Sequence, residues 1–214
     1  MTSPSCVVVD YGIGNVFSVM QAMRQRGSEV ELTSDRATIL AADRVILPGV
    51  GAFGRAVDTL RDMGLDDTIR NFIANERPFL GICVGMQVMM EEGLEFGAHK
   101  GLGLFKGKVV KIDITDDSGA KLRVPLIGWN TPVPTAAGRW DGTSFAAAPR
   151  QTDYYFVHSF EVQADDPTDV AATVPVGTGH ITAAIHRNNV MGVQFHPERS
   201  AAGGQSFLDG FMAL

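Results

Sequence analysis

Apolar residues in the first half of the chain occur either in short continuous runs or at every third or fourth position. These segments predict four strands, a buried one at residues 7–9 and others at residues 30–32, 44–47 and 78–83. The periodic segments predict helices at residues 16–23, 56–60, 65–73 and 85–92. Because strands and helices alternate, we expect an α/β fold with a mainly parallel central sheet and helices on both faces.

The second half shows a different pattern, in which strands follow one another with few helical stretches between them. Its apolar segments predict strands at residues 108–114, 121–127, 154–162, 170–174, 181–186 and 190–195. The pair Asn188-Asn189 is typical of a tight hairpin turn. We therefore expect an antiparallel extension of the sheet and a closing helix near Phe207 and Phe211. Since the sequence has no repeat or linker, residues 1–214 are predicted to form a single domain.

Composition narrows the range of possible functions. The chain has 214 residues, of which 45% are hydrophobic and 20% charged, as in an ordinary globular protein. A net charge of −6 without any Lys/Arg cluster disfavours a nucleic-acid partner. No stretch approaches the ~20 apolar residues that would span a membrane, and the first five residues lack the pattern of a secretory signal. We therefore expect a cytoplasmic location and no membrane partner.

Cys83 is the cysteine whose surroundings predict chemistry. The chain has only two cysteines, too few for a disulfide framework or a zinc site, and nothing in the sequence predicts a metal or a cofactor. Cys83 lies between Gly81 and Gly85, after an apolar strand and before a predicted helix, in the pattern of a nucleophile elbow. The backbone N–H groups and positive dipole end of a helix start favour the nucleophilic thiolate. The N–H of Val84 is in position to donate to an oxyanion, whereas Cys6 leads an apolar strand and is interpreted as a core residue.

His196 and Glu198 supply the partners that a nucleophilic cysteine requires. A thiolate that attacks an amide needs a general acid for the departing nitrogen. His196 follows a predicted strand, and Pro197 favours an extended backbone at His196. Residues i and i+2 of an extended chain point to the same side, so Glu198 can lie beside the imidazole and orient it. We therefore predict a catalytic triad of Cys83, His196 and Glu198.

A glycine-rich loop follows the third predicted strand, in the sequence Pro48-Gly49-Val50-Gly51. Loops at the carboxyl ends of parallel strands gather at one edge of the sheet, so this loop is expected beside Cys83. Its glycines allow a backbone N–H to turn toward a developing oxyanion. Gly49, Val50 and Gly51 are therefore candidates for the oxyanion hole, together with Val84.

These segments together resemble the class I glutamine amidotransferases, in which a Cys-His-Glu triad releases ammonia from glutamine. The segments that carry the resemblance are residues 10–15, 48–53, 81–87, 128–130, 155–159 and 194–200. Residues 48–51, 86–87 and 128–130 are most similar to the branch that serves histidine biosynthesis. The resemblance implies a flavodoxin-like fold, glutamine as the substrate, and a heterodimer with a (β/α)₈-barrel cyclase subunit that receives the ammonia.

The resemblance also implies roles for residues outside the triad. Gln87, Glu95 and Ser159 match positions that hold the amino-acid end of glutamine, with Glu95 paired to the α-ammonium group. Contacts with the cyclase are implied for a further set: Asn15, Trp129, Asn130, Tyr155 and Arg199. Asn15 could equally serve as the N-cap of the first helix. Arg199 stands where many relatives have lysine, a change that preserves the charge but not the hydrogen-bond geometry.

Two other functions are compatible with the residues. The chain could supply ammonia to a different synthase, of the pyridoxal phosphate or anthranilate type, or act on other γ-glutamyl substrates. It could also be a regulatory module without activity. The presence of Cys83, His196 and Glu198 together disfavours that last interpretation.

Overall fold

The computed structural model describes residues 6–25 and 28–214. In this part of the chain the helices are α1 (Val16–Arg24), α2 (Arg36–Ala41), α3 (Phe53–Asp62), α4 (Leu65–Ile73), α5 (Val84–Gln87) and α6 (Ala201–Ala213). The strands are β1 (Cys6–Val9), β2 (Val30–Thr33), β3 (Arg44–Gly49), β4 (Phe79–Cys83), β5 (Met90–Gly93), β6 (His99–Lys100), β7 (Phe105–Lys111), β8 (Leu126–Asn130), β9 (Val133–Pro134), β10 (Tyr154–His158), β11 (Phe160–Ala164), β12 (Val170–Val176), β13 (Gly179–Arg187) and β14 (Val190–Val193). Short 3₁₀ turns occupy Ser144–Ala147, Pro167–Asp169 and Pro197–Arg199.

The largest sheet has the strand order β2-β1-β3-β4-β14-β13-β12-β9. Its first five strands pair in parallel, and the remaining three continue the sheet in antiparallel pairs. With β14 as the fifth strand, the parallel part has the order of a flavodoxin-like sheet. The predicted fold class is confirmed, including the antiparallel extension in the second half.

The four inner parallel strands, β1, β3, β4 and β14, are buried along their whole length because both faces of this part of the sheet are covered. Val7, Val8 and Ile46 are at most 2% exposed, and burial of each such side chain contributes about 1.5–3 kcal/mol. The helices contact one another in two groups: α1 with α6, and α2, α3, α4 and α5 together. None of the helices in the described part of the chain is long and apolar enough to cross a membrane.

The topology brings three strand ends to one place. In the parallel register Gly49, at the end of β3, lies opposite Cys83, at the end of β4. On the other side of β4, Ile82 lies opposite Val193, the last residue of β14. The segment that follows β14 carries His196 and Glu198, so the sheet delivers the predicted nucleophile, its partners and the glycine loop to one edge.

Several predicted elements were wrong in extent. The helix predicted at residues 85–92 is the four-residue α5, and Met90 to Gly93 form strand β5 instead. The apolar run Val88–Met90 is buried throughout, and such a run is compatible with either conformation. The strand predicted at residues 154–162 is two strands of different sheets, β10 paired with β8 and β11 paired with β7.

Two local predictions near the site also need correction. Pro48 and Gly49 were assigned to a loop, but both belong to β3 and pair with β4. Asn15 occupies the N-cap position of α1, yet its side chain makes no capping hydrogen bond. Only its backbone oxygen takes part, accepting from the N–H of Val19.

Candidate active site

Cys83 lies at a strained junction between β4 and α5. Its backbone has φ 56° and ψ −113°, a conformation that residues with a side chain rarely adopt. The flanking glycines explain how the turn is tolerated. A Cβ on Gly85 would lie 1.9 Å from the Leu47 oxygen, and one on Gly81 would lie 2.5 Å from the Met89 sulfur. Strain of this kind persists where packing on all sides imposes it, and it is concentrated at functional sites.

His196 and Glu198 form a buried pair at the opposite wall. The Nδ1–H of His196 donates to Oε1 of Glu198 at 2.8 Å, and the two side chains are 6% and 1% exposed. Since Nδ1 carries the hydrogen toward the carboxylate, Nε2 is the ring nitrogen that remains for other chemistry. The backbone of His196 is fixed as well, because its N–H donates to the oxygen of Tyr155 and its oxygen accepts from Ser200 Oγ.

The environment of His196 stabilises its charged form. Burial alone would lower the pKa of the imidazole, but hydrogen bonds to Cys83 and Glu198, together with the charges of those two groups, raise the pKa from 6.5 to about 10. The imidazolium therefore predominates at neutral pH and lies within hydrogen-bonding reach of the Cys83 sulfur. A histidine in this state can deliver a proton to a departing nitrogen.

One cavity of about 320 Å³ connects most of the predicted site residues. The residues predicted from sequence that line it are Asn15, Val50, Gly51, Cys83, Val84, Gln87, Glu95, Ser159, His196 and Arg199. Glu198 lies behind His196, and Gly49 lies beside Cys83 in the sheet. Trp129, Asn130 and Tyr155 do not line the cavity. Its volume is at the small end of the range for small-molecule sites, which suits a ligand of the size of an amino acid.

The glycine loop is held at both ends. At its start, the hydroxyl of Tyr11 donates to the oxygen of Pro48 at 2.9 Å. At its end, the N–H of Phe53, the first residue of α3, donates to Oε2 of Glu95 at 2.7 Å. Between these anchors Gly51 has φ 86°, and Val50 is 40% exposed. Val50 and Gly51, which line the cavity beside Cys83, therefore lie between two anchored ends.

Glu95 and Gln87 both reach the cavity, but each is already engaged within the protein. Glu95 uses one carboxylate oxygen as the cap of α3. Gln87 is 4% exposed, and its Nε2 donates to the oxygen of Phe160 and to Oε1 of Gln194. Glu95 retains its second oxygen for a cationic group, whereas the amide nitrogen of Gln87 is occupied.

Comparison with known proteins identifies the family. A family model described as glutamine amidotransferase class-I matches residues 7–213. The chain belongs to the class-I glutamine amidotransferases. Among curated proteins it is similar to the imidazole glycerol phosphate synthase subunit HisH of Rhodopirellula baltica, with 44% identity over 204 residues that cover 95% of each chain. The HisH subunit of Salinibacter ruber is 42% identical over 208 residues, covering 97% of this chain and 93% of the relative.

Two solved structures share the fold of the whole chain. PurLQS from Thermotoga maritima superimposes with a TM-score of 0.73 at 18% identity, covering 99% of both chains. A crystal structure described as a glutamine amidotransferase gives a TM-score of 0.70 at 16% identity, covering 97% of this chain and 99% of the other. At these identities the likeness concerns the fold alone.

Two buried residues of the amidotransferase site were not singled out from the sequence. Gln194 is fully buried, and its Nε2 lies 3.6 Å from the Cys83 sulfur. His158 lines the cavity, donates from Nδ1 to the oxygen of Phe160, and has a buried Nε2 without a hydrogen-bond partner. Burial lowers the pKa of His158 to about 4, so this ring is neutral. Both residues belong to motifs already noted in the sequence, but only their contacts reveal them.

Three of the five residues expected at a partner interface form a patch outside the amidotransferase cavity: Trp129, Asn130 and Tyr155. The other two, Asn15 and Arg199, line the cavity itself. Trp129 is 51% exposed and packs its ring edge against Tyr155, with ring centroids 5.9 Å apart. The guanidinium of Arg199 lies over the other ring of this pair, 5.3 Å from the centroid of Tyr155. Asn130 pairs with Tyr154 in the β8–β10 ladder. Because Tyr155 also binds the His196 backbone, this patch is directly connected to the site.

Proposed function

We propose that this chain is the glutaminase subunit of an imidazole glycerol phosphate synthase. It would hydrolyse glutamine to glutamate and ammonia and pass the ammonia to a cyclase subunit in histidine biosynthesis. The observation that supports the chemistry most directly is the hydrogen bond from His196 to the Glu198 carboxylate, at the wall of the cavity that Cys83 also lines. Similarity to HisH subunits over nearly the full length supports the choice of synthase.

The geometry suggests how each bond would be broken. The Cys83 thiolate attacks the side-chain amide carbon of glutamine, and the carbonyl oxygen becomes an oxyanion. We propose that backbone N–H groups of Val84 and of the loop Gly49, Val50 and Gly51 stabilise this charge. His196 then protonates the nitrogen and the C–N bond breaks. Ammonia departs, and the glutamyl group remains bound to Cys83 as a thioester.

Hydrolysis of the thioester completes the cycle. His196, now neutral, takes a proton from a water molecule that attacks the thioester carbon. The C–S bond breaks, glutamate leaves, and the thiolate re-forms beside the protonated imidazole. Glu198 does not change protonation in this scheme: it orients the ring and stabilises its charge in both half-reactions.

Substrate recognition would use the far end of the cavity. We propose that the free oxygen of Glu95 pairs with the α-ammonium group of glutamine, and that Ser159 and Gln87 complete this end. Because the amide nitrogen of Gln87 is occupied, Gln87 would contact glutamine through its side-chain oxygen or through van der Waals packing. The family motifs extend across the described chain, which we treat as a single amidotransferase domain.

Ammonia would be consumed on a second chain. We propose that the partner is a (β/α)₈-barrel cyclase, which docks on the patch of Trp129, Asn130, Tyr155 and Arg199, with Asn15 nearby. There ammonia would react with the phosphoribulosyl formimino carboxamide nucleotide to give imidazole glycerol phosphate and aminoimidazole carboxamide ribonucleotide.

An assay with the partner tests this function against the alternatives. Glutamine hydrolysis would be measured for the chain alone, with the cyclase, and with the cyclase plus its nucleotide substrate. We expect low turnover alone and a large increase with both additions, because the proposed oxyanion-hole residues Val50 and Gly51 are held only at the two ends of their loop and docking of the partner would complete their arrangement. No increase would exclude this synthase, whereas stimulation by a pyridoxal phosphate or anthranilate synthase would favour that alternative.

A further inference from the structure

A chain of side-chain hydrogen bonds leads from the backbone to the sulfur of Cys83. Gln87 Nε2 donates to the oxygen of Phe160 at 3.2 Å and to Oε1 of Gln194 at 3.0 Å. Gln194 Nε2 in turn lies 3.6 Å from the Cys83 sulfur, within the range of a hydrogen bond to sulfur. The two amide side chains are at most 4% exposed, so water does not compete for these bonds.

The orientation of both amides follows from the fixed end of this chain. The oxygen of Phe160 is a backbone carbonyl and can only accept a hydrogen bond, so Gln87 must present its nitrogen there. The same nitrogen faces Gln194, which must therefore present its oxygen to Gln87. The amide nitrogen of Gln194 is left pointing toward Cys83. The alternative rotamer of either amide would place two acceptors or two donors together.

We propose that Gln194 is a hydrogen-bond donor to the Cys83 thiolate, and that Gln87 is the positioning residue that fixes its orientation. A neutral N–H donor stabilises the anionic sulfur without adding a titratable charge. In the proposed function this hydrogen bond stabilises the anionic form of the nucleophile, and it supplements the contribution of His196. The buried amide nitrogen of Gln87 then helps to orient the group that stabilises the nucleophile, and it does not bind the substrate.

Other groups near the sulfur carry or could carry charge. His196 approaches it from the segment after β14, and Tyr11 from the segment after β1. His158 in β10 faces His196 and is neutral, because burial lowers its pKa to about 4. Burial also raises the pKa of Tyr11 well above 10. His158 and Tyr11 therefore keep their charge state between pH 5 and 9, and His196, with a pKa of about 10, stays mostly protonated over the same range. A reactivity measurement in this range consequently reports on the sulfur.

The test is the pH dependence of Cys83 alkylation by iodoacetamide in the isolated full-length chain, with the modified peptide identified by mass spectrometry. Gln194→Met keeps the approximate shape and removes the donor. We expect the midpoint of the alkylation pH profile to move about one unit upward, because hydrogen bonds to charged groups have this magnitude. Gln87→Met should move the midpoint in the same direction by less, since Gln194 remains but is no longer oriented.

Controls separate this role from loss of structure. Gln21→Met makes the same substitution at an exposed position of α1 and should leave the profile of the unmodified chain intact. An unchanged midpoint in Gln194→Met would overturn the proposal. So would a rate lowered equally at all pH values, since that indicates altered access. If Gln194→Met does not fold, Gln87→Met alone decides, and an unchanged midpoint there would count against it.

The role of this hydrogen bond in catalysis rests on the proposed function, but the alkylation experiment does not. Alkylation requires neither glutamine nor the cyclase. A shifted midpoint in a chain that hydrolyses no glutamine even with the cyclase and its nucleotide would support the hydrogen bond and contradict the function. An unshifted midpoint in an active glutaminase would contradict the hydrogen bond and support the function.

Discussion

At the scale of single residues, three independent features act on one sulfur atom. The backbone strain of Cys83 directs its side chain out of the sheet, His196 provides a nearby positive charge, and Gln194 provides a neutral donor. Glu198 acts one step away, through the imidazole. Because these contributions have different physical origins, each can be removed separately.

The pKa of His196 tests the contribution of Glu198. In Glu198→Gln we expect this pKa to fall from about 10 toward 6.5, as followed by NMR titration of the ring. A raised histidine pKa stabilises the fold fully below pH 6.5, and this stabilisation is lost as the pH rises toward 10. The stability difference between the wild type and Glu198→Gln should therefore shrink over the same interval. An unchanged His196 pKa in the variant would show that the carboxylate does not stabilise the imidazolium.

The elbow glycines test the strained turn. In Gly85→Ala the new Cβ would collide with the backbone oxygen of Leu47 at 1.9 Å, so we expect a loss of about 2–3 kcal/mol in the free energy of unfolding. Gly179→Ala in β13 is the matched control, because its Cβ would make only ordinary contacts, 3.5 Å or more from Ile114. Equal denaturant midpoints for the two variants would contradict this view of the elbow.

At the scale of elements, the β5–β6 hairpin and the first turn of α3 form one unit. Glu95, in the loop of the hairpin, caps the N–H of Phe53. The ring of Phe53 packs where Gly93 has no side chain, and His99 packs against Gly54 in the same way. The glycine loop ends where α3 begins, so the hairpin that carries a proposed substrate contact also fixes one end of the proposed oxyanion hole.

Two substitutions at Glu95 separate capping from substrate binding. Glu95→Gln keeps an acceptor for the Phe53 N–H but loses the charge, whereas Glu95→Ala loses both. Without glutamine, we expect faster hydrogen exchange across residues 51–57 in Glu95→Ala than in Glu95→Gln, since loss of a cap costs about 1 kcal/mol. Both variants should show a raised KM for glutamine. Identical exchange in the two variants would mean that Glu95 does not hold the start of α3.

The sequence predicted the elements that have a local signature. Continuous apolar runs identified β1 to β4, and helical periodicity identified α1, α3 and α4. Helix α2 was missed although Asp35 caps it, accepting from the N–H of Thr38 at 2.8 Å. The break between β10 and β11 could not be predicted, because it depends on pairing with strands that lie elsewhere in the chain.

The same distinction applies to the site. The sequence predicts Cys83, His196 and Glu198 as site residues because each lies within a short motif. Gln194 and Gln87 are 107 residues apart, and Gln194 and Cys83 are 111 apart, so no local pattern shows that their side chains meet. Their roles follow from the fold, which brings β4, α5 and β14 together.

At the scale of the whole molecule, the exposed patch around Trp129 adjoins the site through the backbone of Tyr155. Trp129→Ala should weaken binding of the cyclase by about tenfold or more, because exposed tryptophans often dominate an interface. Thermal unfolding of the isolated chain should change little. Phe96→Ala, at a 90% exposed aromatic on another loop, is the matched control. Equal cyclase affinity for both variants, measured by titration calorimetry, would place the interface elsewhere.

The central claim is that Cys83 is the nucleophile that attacks glutamine. The most direct measurement is to treat the chain, with its cyclase, with a glutamine-like electrophile and to locate the adduct by mass spectrometry. Cys6 is the internal control, since burial raises the pKa of its thiol to about 12. We predict one adduct, on Cys83, which excess glutamine suppresses and which His196→Ala slows. Labelling of Cys6 alone, or of neither cysteine, would contradict the account.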